Sequence, residues 1–247
     1  MLSGKDFHMF GSLDIETFLK YFSRIVTLLL VIPIHESAHG LVAKWLGDDT
    51  ALRQGRISLN PFVHIDPFGA ILMITGGFGW AKPVQVNPLR FKKYRAGFAL
   101  TALAGPVSNL IAAFLSGLAL AIILSTEKGV VAWVSTFGKQ FTTLGCVTLL
   151  LYYLFYINIG LAIFNLIPIP PLDGFNILRA FTPEKFDRWI FQHQREINYA
   201  FFVLLILISV IPGERSPLNI AAQKVGALLW KAVAWIPNKF GPFSGIL

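Results

Sequence analysis

The chain has 247 residues, of which 55% are hydrophobic and 14% charged, and it carries a formal net charge of +8. Globular domains average about a quarter charged residues, so this composition, with a mean hydropathy of +0.63, excludes an ordinary soluble domain. The Lys and Arg excess lies in short stretches between apolar runs, which is how membrane topology distributes it, and nucleic acid is set aside as a partner on that ground.

Cys146 is the only cysteine, so an internal disulfide and a Cys-based metal site are both ruled out. Lying inside an apolar run, it reads as a small packing residue. The first sixteen residues hold Asp6, Asp14 and Glu16 around no apolar core, unlike a cleavable leader.

About 20 mostly apolar residues are needed to cross a bilayer as a helix. Residues 25–43 form the first such run, interrupted by His35, Glu36 and His39. Eight basic residues follow: Lys44, Arg53, Arg56, Lys82, Arg90, Lys92, Lys93 and Arg95. Within that basic region, residues 56–86 combine the apolar stretch 68–75 with Gly76, Gly77 and Gly79, and with Pro61, Pro67 and Pro83. The glycines favour turns and the prolines disfavour a long helix. The segment therefore reads as short strands or a hairpin lying against or dipping into the membrane, with an ordinary surface loop as the alternative.

Residues 97–124 and 141–168 carry no charge at all, and the connection between them has only Lys128 and Lys139 as basic residues. Arg179, Lys185, Arg188 and Arg195 come next, followed by a shorter apolar run at 197–212. In residues 217–237, Lys224 and Lys231 are seven apart on one helical face near Trp230 and Trp235. That pattern fits an interfacial amphipathic helix or a fifth span. The charge alternation places residues 44–96 and 169–196 in the cytoplasm and the N-terminus outside. The expected fold is an all-α polytopic membrane protein, a bundle of about 4–6 transmembrane helices with a small membrane-associated β-hairpin region.

His35-Glu36-Ser37-Ala38-His39 fits the pattern H-E-x-x-H. Residues i and i+4 of a helix share a face, so both imidazoles can reach one metal ion, with the intervening Glu placed as general base. Ionisable groups inside an apolar helix are costly and default to a functional reading. Lys44 is nine residues beyond His35, about 13 Å at a helical rise, too deep for a merely solvated helix end.

Catalytic zinc takes three protein ligands and keeps one position open. His8 lies near the terminus and His193 in a charged segment, so neither suits the third position. His64, in Asn60-Pro61-Phe62-Val63-His64-Ile65-Asp66-Pro67, is either a ligand or a loop histidine bonded to backbone. Asp173 follows Pro168, Pro170 and Pro171, which forbid a regular helix there. Read from these residues alone, it is equally a ligand or part of an Asp-Gly turn.

The set resembles the site-2 protease family of intramembrane zinc metalloproteases. The resemblance rests on His35-Glu36-Ser37-Ala38-His39, on Ala104-Gly105-Pro106-Val107-Ser108-Asn109, and on Asn165 with Leu172-Asp173-Gly174. Gly79-Trp80-Ala81-Lys82-Pro83-Val84 and Asn87-Pro88 are similar to segments of its compact prokaryotic members.

The resemblance covers residues from about 25 to 180 and implies one domain over 1–247, with a catalytic core at about 17–180 and C-terminal helices at about 197–240. It implies one catalytic Zn2+ held by His35, His39 and Asp173, and Glu36 activating water. Gly105 and Pro106 would thin or bend the middle helix, and Asn109 and Asn165 would position substrate. For the two asparagines, hydrogen bonding between helices is the alternative.

The implied substrate is a transmembrane protein or peptide. It would be cut in a cell membrane with the site toward the cytoplasm, either in regulated intramembrane proteolysis or in clearing signal-peptide remnants. Two other readings stand beside this one. A metal-binding transporter or channel would need a polar path beyond the site, and a non-catalytic pseudoprotease would have no need of Glu36.

Overall fold

The computed structural model describes residues 15–76, 79–137, 142–210 and 217–241. His8, the N-terminal acidic residues Asp6 and Asp14, Gly77, Lys139, residue 141 of the run at 141–168 and residues 211–212 of the run at 197–212 lie outside the described residues.

Helix α1 (Ile15–Val26) continues through a π-helical turn at Thr27–Val31 into α2 (Ile32–Trp45). Pro33 stands at this junction. It has no N–H for the ladder and its ring crowds the preceding turn, and the wider π turn accommodates both. Tyr21–Trp45 is one 25-residue stretch apolar enough to cross a membrane.

After the short α3 (Thr50–Arg53) and a 3-10 turn at Pro61–Val63 comes α4 (Pro67–Gly76). This is the segment in which strands were expected. Among the described residues it holds no strand, only the isolated antiparallel bridge between Ile65 and Ala81, with Lys82 N donating to His64 O at 2.8 Å. The prolines account for the difference. Pro61 and Pro67 each open a helical turn, the position where a missing N–H costs nothing.

Arg24 of α1 donates to Ile74 O, and at 3.1 Å to Thr75 O. A cation on the last carbonyls suits the negative end of α4 and ties it to α1. The chain then doubles back so closely that a Cβ on Gly79 would stand 2.1 Å from Gly69 O.

A 3-10 turn at Pro88–Arg90 leads into α5 (Tyr94–Leu124), then α6 (Glu127–Phe137), α7 (Thr143–Asn165), α8 (Asp173–Arg179), α9 (Glu184–Gln192), α10 (Gln194–Val210) and α11 (Pro217–Phe240). Both α5 and α7 are long and apolar enough to span. With Tyr21–Trp45 they make three such helices among the described residues.

The centre of the bundle is α5, which packs against α2, α7, α8 and α11. Small residues permit this. Ala113 is fully buried, and a Cβ on Gly117 would meet the Phe155 ring at 2.9 Å. Such close approach is how membrane helices gain van der Waals contact without a hydrophobic force between them. Ala113, Phe155 and Ile159 form a core cluster that Ala222, Val225, Leu229 and Trp230 of α11 cover. Helix α11 thus lies along α5 and α7, with Lys224 and Lys231 on its exposed face. Cys146 is exposed near the start of α7 rather than packed. The connection between α5 and α7 contains the helix α6, packed on α7.

Candidate metal centre

Both histidines of the H-E-x-x-H pattern face α5, and α5 is shaped to receive them. A Cβ on Gly105 would stand 2.5 Å from His39 Nε2 and 2.5 Å from His35 Cε1. Only glycine lets the helix backbone come that close. Asp173 reaches the same point from α8. Gly174 packs so tightly on the end of α7 that a Cβ there would be 2.2 Å from Leu166 O, which is why the Asp-Gly pair can swing the carboxylate back toward α2.

The three side chains meet in a small triangle. His35 Nε2 and His39 Nε2 are 3.1 Å apart, and Asp173 Oδ2 is 3.2 Å from the first and 3.4 Å from the second. Among the described residues this is the group of His and acidic side chains that could hold a metal ion.

The Nδ1 atoms are already committed. His39 Nδ1 is 2.7 Å from Thr101 O, and His35 Nδ1 is 2.7 Å from Asn109 Oδ1. A backbone carbonyl only accepts, so the neutral His39 ring carries its proton on Nδ1 and presents a lone pair at Nε2. Among the described residues, Asp173 Oδ2 is buried without a hydrogen-bond partner. Lone pairs that converge with no proton among them need a cation. A tetrahedral zinc with ligands at about 2.0–2.1 Å separates them by about 3.3 Å, the size of the triangle found. The residues fit zinc.

Glu36 stands beside this triangle and its Oε2 accepts from Val84 N at 2.9 Å, its one side-chain hydrogen bond among the described residues. The returning chain that supplies Val84 is fastened by Arg56. That buried guanidinium donates to Val63 O, to Lys82 O at 2.5 Å and to Pro83 O at 3.1 Å. Asp48, fully buried, accepts from Asn87 N at 2.6 Å and from Thr50 N at 3.0 Å. Ser37 Oγ donates to Ser58 O at 2.6 Å.

The other residues singled out from sequence lie elsewhere. His64 is fully buried with Nε2 2.8 Å from Ser58 O, bonded to backbone and outside the triangle. His193 bonds Trp189 O at 2.9 Å and stacks on the Trp189 ring. Asn165 Nδ2 donates to Leu161 O at 3.0 Å, one turn back in α7. Asn109 is fully buried with both side-chain functions occupied by protein groups. Its partner Asn158 has no counterpart in the motifs. The one signal it leaves in the sequence is its seven-residue spacing from Asn165, which puts both amides on one face of a charge-free helix.

Comparison with known proteins gives the family. The sequence model of Peptidase family M50 matches residues 23–209. The chain belongs to peptidase family M50. It is 40% identical over 183 residues to "Putative zinc metalloprotease YwhC" of Bacillus subtilis (strain 168), a match covering 74% of this chain and 78% of that protein. No solved structure matches. As a family M50 member with spanning helices, the protein is a membrane metallopeptidase of the site-2 protease family.

Proposed function

We propose that this family M50 member is an intramembrane endopeptidase. It would hydrolyse a peptide bond of a membrane-spanning substrate at a zinc ion held by His35, His39 and Asp173. The observation that carries this reading is the triangle of lone-pair atoms, 3.1 to 3.4 Å on a side, set inside an apolar helix bundle. Bound zinc supplies Lewis acidity, activating water at neutral pH and polarising a carbonyl oxygen.

The chain's own residues do the rest. Glu36 takes a proton from the attacking water and returns it to the departing amine. Val84 N–H holds one of its carboxylate oxygens at 2.9 Å and leaves the other free for that exchange. Asn165 offers its Oδ1 to a substrate N–H, since among the described residues its hydrogen bond is from Nδ2, to Leu161 O. A helical substrate must unwind before its carbonyls are accessible. Residues 82–87, outside any helix and next to Glu36, receive the unwound stretch by strand addition.

In this reading α10 and α11 join the three spanning helices. The basic stretches 44–96 and 169–196 lie at the cytoplasmic face of the cell membrane, supplying water to Glu36 from that side.

The test combines zinc content and turnover in detergent. The wild type, His35→Ala, Asp173→Ala and Glu36→Gln are compared for metal and for cleavage of a panel of single-span membrane proteins. One zinc in the wild type, its loss in His35→Ala and Asp173→Ala, and zinc without cleavage in Glu36→Gln are the expected results. Cleavage by Glu36→Gln at the wild-type rate would refute the base assignment, and full zinc in Asp173→Ala would refute the ligand set.

A further inference from the structure

We infer that Asn158 of α7 is a positioning residue that fixes which nitrogen of His35 is offered to the metal, using the Leu154 carbonyl as its reference. The inference rests on the metal site proposed above, but it concerns residues that touch neither metal nor substrate.

The observations form an unbroken path across three helices. His35 Nδ1 is 2.7 Å from Asn109 Oδ1, Asn109 Nδ2 is 3.0 Å from Asn158 Oδ1, and Asn158 Nδ2 is 2.7 Å from Leu154 O. Asn109 and Asn158 are both fully buried. An amide buried there without partners is heavily penalised, so no member of the path can turn its back on its neighbour.

The direction of every bond follows from its far end. A backbone carbonyl accepts and never donates, so the Asn158 group facing Leu154 O is its NH2. Its Oδ1 then faces Asn109, which must present NH2 in return. Asn109 Oδ1 is left toward His35 and requires a proton on Nδ1, so the Nε2 lone pair points at Asp173 and His39.

Each alternative puts like against like. Reversing Asn158 alone sets two acceptors 2.7 Å apart at Leu154. Reversing Asn109 alone opposes two oxygens at Asn158 and removes the acceptor from His35 Nδ1. The assignment of nitrogen and oxygen in both amides is therefore fixed by one main-chain atom.

His39 reaches the same state in one step, through Thr101 O at 2.7 Å. The two imidazoles thus have their tautomers set by backbone carbonyls of different helices, α5 for His39 and α7 for His35. An outer hydrogen bond of this kind raises the basicity of a metal-binding imidazole and fixes its ring. Through it α7, which provides no ligand, becomes part of the metal centre.

The experiment compares the wild type, Asn109→Leu, Asn158→Leu and the double variant in detergent. Zinc affinity is read by competition with a chromophoric chelator. The tautomer of His35 is read by 15N NMR of histidine-labelled, metal-free protein. Asn158→Leu is expected to lower zinc affinity by about tenfold or more and to turn the single Nδ1–H signal of His35 into a mixture.

The double variant removes both amides together, which leaves no buried amide unpaired and keeps the comparison usable if Asn158→Leu alone folds poorly. It is expected to bind zinc as Asn109→Leu does, because Asn158 acts only through Asn109. A double variant weaker than Asn109→Leu by the full loss seen in Asn158→Leu would overturn the inference, as would an unchanged His35 signal in Asn158→Leu. The NMR readout needs no zinc. A wild type that shows the Nδ1–H tautomer yet binds no metal would sink the metal site and leave the relay standing.

Discussion

Gly105 lies so close to His39 that the imidazole occupies the space a side chain at 105 would need. A Cβ there would stand 2.5 Å from His39 Nε2, the atom that presents the lone pair. Relief requires either α5 to retreat from α2 or both imidazoles to rotate away from Asp173. Gly105→Ala is therefore expected to lower zinc affinity by at least about tenfold, while the helical content measured by far-ultraviolet circular dichroism stays at the wild-type level. Wild-type zinc affinity in this variant would show that the two helices are not packed as described.

Arg56 is buried with three main-chain carbonyls around its guanidinium, those of Val63, Lys82 and Pro83. A planar fork can reach acceptors in two directions at once, which a lysine ammonium on a flexible stem does not reproduce. Arg56→Lys should loosen the chain that carries Val84 to Glu36. Turnover is expected to fall by about tenfold or more, since a misplacement near 1 Å can cost that much or greater, with zinc content unchanged. Equal turnover and an unaltered pattern of limited proteolysis across residues 56–87 would show that this arginine organises nothing.

Val84 contributes its main chain rather than its side chain. Val84→Pro deletes the N–H that holds Glu36 Oε2 at 2.9 Å. The expected result is a protein that binds one zinc and cleaves far more slowly than wild type. The control is Val84→Ala, which keeps the N–H and should keep most of the activity. Loss in both variants would move the cause from the hydrogen bond to the side chain.

The parts of this centre differ in how far the sequence reveals them, and the reason lies in the range of each signal. His35, Glu36 and His39 are legible because a single helical turn sets their relation, so four residues of spacing carry it. Asp173 is legible only in outline. The prolines before it break the helix, but that the carboxylate returns to α2 depends on Gly174 fitting against Leu166 O, a contact between segments.

Asn109 is visible as a polar residue in an apolar span, yet its partner on α7 is not. The seven-residue spacing puts Asn158 on the face of Asn165, but nothing local says which residue of another helix meets it there. The expected hairpin at 56–86 failed for a local reason, because prolines that bar a helix interior are welcome at its first turn, and α4 starts on one. Val84 could not be found at all, since every non-proline residue has the same N–H.

Asp48 carries the last prediction. Its carboxylate is fully buried and accepts from Asn87 N at 2.6 Å, from Thr50 N at 3.0 Å and from Thr50 Oγ1 at 2.5 Å. It thereby joins the end of α2 to the chain that returns from Val84 toward α5. Asp48→Ala leaves two main-chain N–H groups without their acceptor. A fully buried unsatisfied donor costs about 1–3 kcal/mol and these half-buried ones cost less, and each kcal/mol lost lowers the unfolding midpoint of a protein this long by about 2–4 °C. Asp48→Asn keeps an acceptor oxygen but can supply only one, so it should fall between Asp48→Ala and the wild type. The same order is expected for turnover, because the segment that Asp48 anchors also holds Glu36. An Asp48→Ala protein that melts and cleaves as the wild type does would mean that the return segment is secured from the Arg56 end alone.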